Sequence, residues 1–168
     1  MPNHCESDLY IHGPKAIVAT VIAKHFTADG ELNCDSVIPY PASFKALDEA
    51  SAKWEADNKD NPNRDWRNRP KDGFNSGGYD WCVACWGTKW GTYDGTGINK
   101  TARGFGAGFQ SAWSPPTPVV SALAAMYPKI KIQMNSFENG MGYQVKANWE
   151  NGKLICENQN DYRGSRGG

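Results

Sequence analysis

Cys82-Val-Ala-Cys85 is the tightest grouping of chemically capable side chains in this chain. Two cysteines separated by two residues serve as a dithiol–disulfide couple or as half of a tetrahedral zinc site. A redox pair belongs at the amino terminus of a helix that follows a strand, where the first thiolate is stabilised. This pair instead lies inside an aromatic stretch, between Trp81 and Trp86, which favours packed, protonated thiols. Zinc would need two further ligands; His4 and Cys5 are the nearest candidates by type, but no spacing brings them to the pair. His4, His12 and His25 are scattered, and HExxH, GxSxG and GxxxxGK[ST] are all absent. Gly104 to Gly108 resembles a fragment of a phosphate-cradling loop, but reads better as a glycine-bearing strand. Glu138 and Glu150 fall near the ends of two segments that should pair. Acid–base work would require their desolvation, so solvated strand ends are the expectation.

Basic side chains offer a second kind of chemistry. Arg64, Arg67, Arg69 and Lys71 surround Trp66 in a polar stretch, and Lys89, Lys100 and Arg103 flank the glycine-rich segment. Together they form the candidate basic patch, able to meet phosphates or an acidic protein surface. An exposed Trp among arginines can anchor an interface or stack a base; the alternative is a packed Trp that pins a long loop.

The chain has 168 residues, with 18 acidic and 18 basic side chains that cancel, so no global charge commits it to nucleic acid or an anionic membrane. Hydrophobic residues make up 39% and aromatics 12%, enough for one core in which aromatics carry much of the apolar surface. The best apolar run, Ala16 to Ala23, is far short of the roughly 18 residues of a membrane span. The start MPNHCESDLY shows no secretory pattern, and Cys5, Cys34, Cys82, Cys85 and Cys156 are an odd number. Reduced thiols in the cytoplasm follow as the expectation.

The elements that must position these residues can be read in order. Asp8 to His12 alternates and stops at Gly13-Pro14, predicting a strand and then a helix to about Phe26 with a stripe of Ile17, Val18, Val21 and Ile22. Ser36 to Tyr40 reads as an edge or non-ladder segment because of Pro39. Ser43 would cap a helix from Phe44 to about Asp57. Asn58 to Asn75 is polar and aperiodic, a surface loop or partly disordered insert. Tyr79 to Trp86 predicts a short buried helix, with Tyr79, Val83 and Trp86 on one face, ended by Gly87. A strand over the glycines leads to Trp113-Ser114-Pro115-Pro116 and a helix to Tyr127. Lys129 to Phe137, Gly142 to Glu150 and Lys153 to Glu157 alternate around Asn139-Gly140 and Asn151-Gly152, a three-stranded meander, after which the tail should fray. The fold class is α+β: one domain, a mostly antiparallel sheet with helices on one face.

Several stretches resemble one known family. MPNHCESDLYIHGP, DWCVACWGTKWGTYD, FGAGFQSAWSPPTPVVSALAAMYPKIKI and NSFENGMGYQVKANWENGKL are similar to segments of the YubB-like and Api-like proteins encoded on bacteriophages and plasmids. The resemblance spans most of the chain apart from Asn58 to Gly73. It implies a ferredoxin-like fold inside the infected or plasmid-bearing bacterium, and no established catalytic residues. Cys85 stands where that pattern has a polar residue, so the resemblance does not make the CxxC a working motif. It leaves Trp81, Trp86, Trp90 and Trp113 as a structural aromatic cluster, with Trp86 and Trp90 packed on the sheet and Trp113 capping it. The expected function is therefore a non-enzymatic accessory protein without a cofactor, binding and inhibiting a host defence complex of CRISPR or restriction type. The alternatives are a nucleic-acid or nucleotide-binding module and, third, an enzyme or metal protein using Cys82 and Cys85.

Overall fold

The computed structural model describes residues 3–168; Met1 and Pro2, the first letters of the opening motif, lie outside them. Their order is β1 (His4–His12), α1 (Lys15–His25), α2 (Cys34–Val37), α3 (Ala42–Asp57), α4 (Gly78–Trp86), β2 (Ile98–Lys100), β3 (Gly104–Ala112), α5 (Thr117–Met126), β4 (Lys131–Glu138), β5 (Tyr143–Glu150) and β6 (Lys153–Asp161). The strands form one antiparallel sheet in the order β2-β3-β1-β4-β5-β6. Within it, β1-α1-β2-β3-α5-β4 is the βαββαβ arrangement of a ferredoxin-like fold, extended past β4 by a hairpin. The α+β, ferredoxin-like expectation holds.

Alternation along the strands sends Leu9, Ile11, Phe105, Phe109, Ile132, Met134 and Trp149 to the covered face, where Val18 and Val21 of α1 and Val119, Val120 and Leu123 of α5 meet them. Trp149 is fully buried and its indole N–H donates to Ser121 Oγ at 2.8 Å. At Asn151-Gly152 both residues have positive φ, 51° and 76°, as the two-residue hairpin requires. Gly104 allows the closest approach in the ladder, since a Cβ there would stand 1.9 Å from the Ile11 carbonyl oxygen.

Two sequence signatures meet at the end of β3. Gly87 closes α4 in the left-handed region (φ 77°), and its carbonyl accepts the Ser114 hydroxyl at 2.5 Å. The buried Thr88 hydroxyl donates to the Ala112 carbonyl at 2.9 Å. The WGTKW and AWSPP segments are thus two halves of one buttress.

Several expectations are corrected. Ser36 to Tyr40 joins no ladder, which keeps the non-ladder reading and drops the edge strand: Asn33 accepts from the Ser36 N–H and caps α2, and past its end Asp35 accepts from the Tyr40 N–H. α3 starts one residue before Ser43, after Pro41, with no side-chain cap. On α4 the buried positions are Gly78, Cys82 and Trp86, while Tyr79 and Val83 face outward. Asn58 to Asn75 is built of turns with short 3-10 segments at Trp66–Asn68 and Phe74–Ser76. Trp113 sits at positive φ (72°), half-exposed, and makes none of the ring contacts of the aromatic cluster among the described residues. β6 runs on to Asp161, and the tail beyond it docks rather than frays. Arg166 grips Asp8 with two hydrogen bonds of 2.7 and 2.9 Å, reaches Glu6 at 3.0 Å, and lies over the Phe137 ring. Glu138 is fully buried, its carboxylate accepting from the Gly140 and Met141 amides; Glu150 is at the far end of β5, on Lys131. The two carboxylates do not face each other.

His25 ties three helices together: Nδ1 is 2.9 Å from Ser36 Oγ and Nε2 3.0 Å from Tyr127 Oη. Burial, then the neighbouring Lys24 charge, hold its pKa below the ordinary histidine value. The neutral ring therefore stabilises the fold fully above about pH 6.5, the unfolded value, and that contribution is lost as the pH falls towards the depressed folded value. Urea midpoints measured from pH 7.5 to 5 should fall more steeply for the native protein than for His25→Gln. Equal slopes would contradict the assignment.

Candidate interaction surfaces

The structure divides the basic patch into three separate settings. In the first, Arg64 lies over Trp66, whose indole packs at a tilt against Trp54 of α3. The Arg64 guanidinium lies 3.8 Å from the Trp66 ring centroid, and the two indoles are 5.8 Å apart. Trp66 remains 54% exposed, and Arg67 stands in solvent beside it. Asp65 accepts from the Arg67 N–H and starts the short 3-10 turn that presents both. Arg69 points the other way. Its guanidinium donates to Ser51 Oγ and bridges Glu55 at 2.9 Å, bolting the loop to α3. Asp72 completes the bolt; bonds from Asn75 hold its carboxyl below the usual range. Lys71 is exposed.

The second setting is aromatic. Lys89 lies 4.9 Å from the Trp90 ring and 5.7 Å from the Tyr79 ring, beside a hollow of about 290 Å³ that Phe74 also lines. Trp90 contacts Phe74 and Tyr93 here, outside the core, and does not pack on the sheet with Trp86 as expected. Trp81 and Trp86 do cluster, with Tyr40 between them and α3, and the Trp86 indole N–H donates to the Ile38 carbonyl.

Lys100 and Arg103 belong to a third corner, at the β2–β3 turn. Together with Lys15 they rim a groove of about 490 Å³ beside α1. Arg103 also borders a neighbouring hollow with His12, Lys129 and Lys131. Lys15 and Lys129 escaped the sequence reading because nothing in their local spacing links them; only the sheet order brings the two turns to one corner.

The CxxC lies within α4 and not at its start. The Cys82 thiol is buried and pushed up to about 11, chiefly by desolvation. That is opposite to the lowered value a redox nucleophile needs. His4 is hydrogen-bonded to the Tyr93 hydroxyl at 2.9 Å, and Cys5 is buried on β1 with its thiol pushed up to about 12 by burial. Among the described residues no three His, Cys, Asp or Glu side chains gather to hold a metal ion. Ser7 and Ser136, beneath the same end of the sheet, satisfy each other at 2.8 Å.

Residues 86–165 match the family model of a ferredoxin-like domain in Api92-like protein. Among solved structures, the protein api92 from Yersinia pseudotuberculosis superposes over 98% of this chain and 99% of its own length. Its TM-score is 0.56 at 10% identity, so the likeness is one of fold. No curated protein matches the chain.

Thiol titration with a chromogenic disulfide at pH 8 tests the cysteine assignments. Cys156 is exposed, Cys85 half-buried and the other three buried. One thiol should react fast in the native protein, and Cys156→Ser should remove that phase. Rapid reaction of Cys82, read by peptide mapping, would contradict its burial.

Proposed function

From a ferredoxin-like fold shared with Api92-like proteins, we propose that this chain is a non-enzymatic accessory protein of a phage or plasmid. It acts in the bacterial cytoplasm by binding a host defence complex, of the CRISPR or restriction-effector class, and blocking it. The observation that carries the binding reading is Trp66, an exposed indole presented on a short helical turn, with Arg64 stacked on it and Arg67 beside it. Trp and Arg dominate interface hot spots, and an anchor of this kind is worth about 2 kcal/mol or more once desolvated. The bolt from Arg69 to Ser51 and Glu55 holds the loop in place beforehand, which lowers the ordering cost on association. The target class itself rests on the phage and plasmid resemblance of the opening, DWCVACWGTKW and AWSPP segments.

A second reading, a module for single-stranded nucleic acid, is favoured by Tyr10. This residue is exposed on the uncovered face of β1, and its ring lies over Gly106, where a Cβ would stand 3.3 Å from ring carbons. A ring laid across a sheet is a stacking platform. Binding of this kind weakens steeply with salt, and the protein reading does not require that.

A plasmid-interference assay in bacteria carrying an active effector tests the proposal. Expression of the native protein should rescue the targeted plasmid. The double variant Trp66→Ala with Arg67→Ala should lose most of that rescue while keeping its circular-dichroism spectrum and melting temperature. Full rescue by the folded double variant would place the contact elsewhere.

A further inference from the structure

α1 poses a problem that packing inside the chain does not solve. Of its eleven residues, KAIVATVIAKH, only Lys15, Thr20, Lys24 and His25 are polar, so it is apolar on nearly every side. A helix of that composition is normally enclosed. Here Val18, Val21 and His25 face the core, yet Ala16, Ala19 and Ala23 are exposed and Ile22 only half-buried. The uncovered side forms one wall of the groove described above. Val18, Ala19, Ile22 and Ala23 line it from the helix, and the β2–β3 turn with Lys100 and Arg103 forms the other wall. Lys15 stands on the helix side, and no acidic side chain lines the groove. Lys15, Lys24, Lys100 and Arg103 make no ion pair among the described residues. Lys129 extends the positive charge around the corner, where Lys131 is already paired with Glu150. In a chain whose formal charge is zero, this is a local concentration of cations around an aliphatic trough.

We infer that this groove is a docking site for an acidic amphipathic helix of a partner protein. Aliphatic side chains at i, i+3 and i+4 of such a helix would fill the trough, and its flanking carboxylates would meet Lys15, Lys100 and Arg103. Charge opposes the simplest rival, a symmetric dimer through the groove, which would bring the same cations face to face. A nucleic-acid strand would find cations but no ring on which to stack a base, because the lining side chains carry none. A membrane surface needs apolar groups that protrude, whereas Val18 is buried and Ile22 half-buried at the floor of a concavity. The site lies on α1 and the β2–β3 turn and does not depend on Trp66.

Fluorescence anisotropy tests it on the intact protein with four probes. They are a labelled Glu/Leu amphipathic helical peptide, its Lys/Leu counterpart, a single-stranded oligonucleotide, and phosphatidylglycerol vesicles. The Glu/Leu peptide should bind, more weakly as salt rises, and Ala19→Glu and Arg103→Glu should each weaken it on the order of tenfold or more, about 1.4 kcal/mol per decade. Both substitutions are at surface positions, and unchanged melting temperatures would show that the fold is retained. The Lys/Leu peptide should not bind. The inference would be overturned by failure of the Glu/Leu peptide to bind, by equal binding of both peptides, or by insensitivity to Ala19→Glu. It would equally be overturned if the oligonucleotide or the vesicles displaced the bound Glu/Leu peptide in a manner abolished by Arg103→Glu. A dimer in light scattering that Ala19→Glu dissociates would assign the groove to a second copy instead.

Discussion

The pairing of β1 on both sides is the constraint on which the structure depends. From His4 to His12 it is hydrogen-bonded to β3, and from Glu6 to His12 also to β4. β3 and β4 are both antiparallel to β1, so they run parallel to each other with a strand between them. Without β1 they would be separated by two strand spacings, about 9.6 Å, too far to share hydrogen bonds. Cys5, Leu9 and Ile11 on one side of β1 are fully buried, the last two in the core that the helices cover. Glu6 and Asp8 on its other side hold Arg166. One strand thus organises the sheet, the core and the docking of the tail. The long excursion between α1 and β2 folds back on itself at the bridge Phe26–Leu32 and is tied to β3 by the bridge Tyr93–Gln110.

What could be read from the sequence follows from the range of the interactions involved. The meander from Lys131 to Asp161 was legible because alternation and the Asn151-Gly152 turn are local signals. The stop of α4 at Gly87 was legible for the same reason. The same helix shows where such reading ends: Tyr79 and Val83 are as apolar as Cys82 and Trp86, and only the position of Tyr40 and Ile38 decides which pair is covered. Glu138 looked like a solvated strand end because its two amide donors come from the turn that follows. Arg166 could not be placed at all, since its partners lie 158 and 160 positions away. Of the basic residues nominated together, Arg69 is structural, Lys89 rests on rings, and Lys100 and Arg103 belong to another corner.

The candidate surfaces draw on both parts of the chain. Trp66 and its loop, and the apolar side of α1, both lie outside residues 86–165, where the family model matches. The matched segment supplies β2 to β6 and α5, the greater part of the sheet, and it also carries Lys89, Lys100 and Arg103 of the other candidate surfaces. In both parts these residues sit on loops, at turns and on an exposed helix, where substitutions leave the core undisturbed. Yet the matched segment also lacks β1, so it does not correspond to a unit of packing in this structure.

The most direct test is the nitrogen–proton correlation spectrum of residues 86–165 produced alone, beside that of the whole chain. With β1 as the keystone of the sheet, the fragment should give a narrow amide range and no cooperative melting, whereas the whole chain gives a dispersed spectrum. A dispersed spectrum and a single sharp transition from the isolated fragment would show that the sheet closes without β1, and would contradict the account.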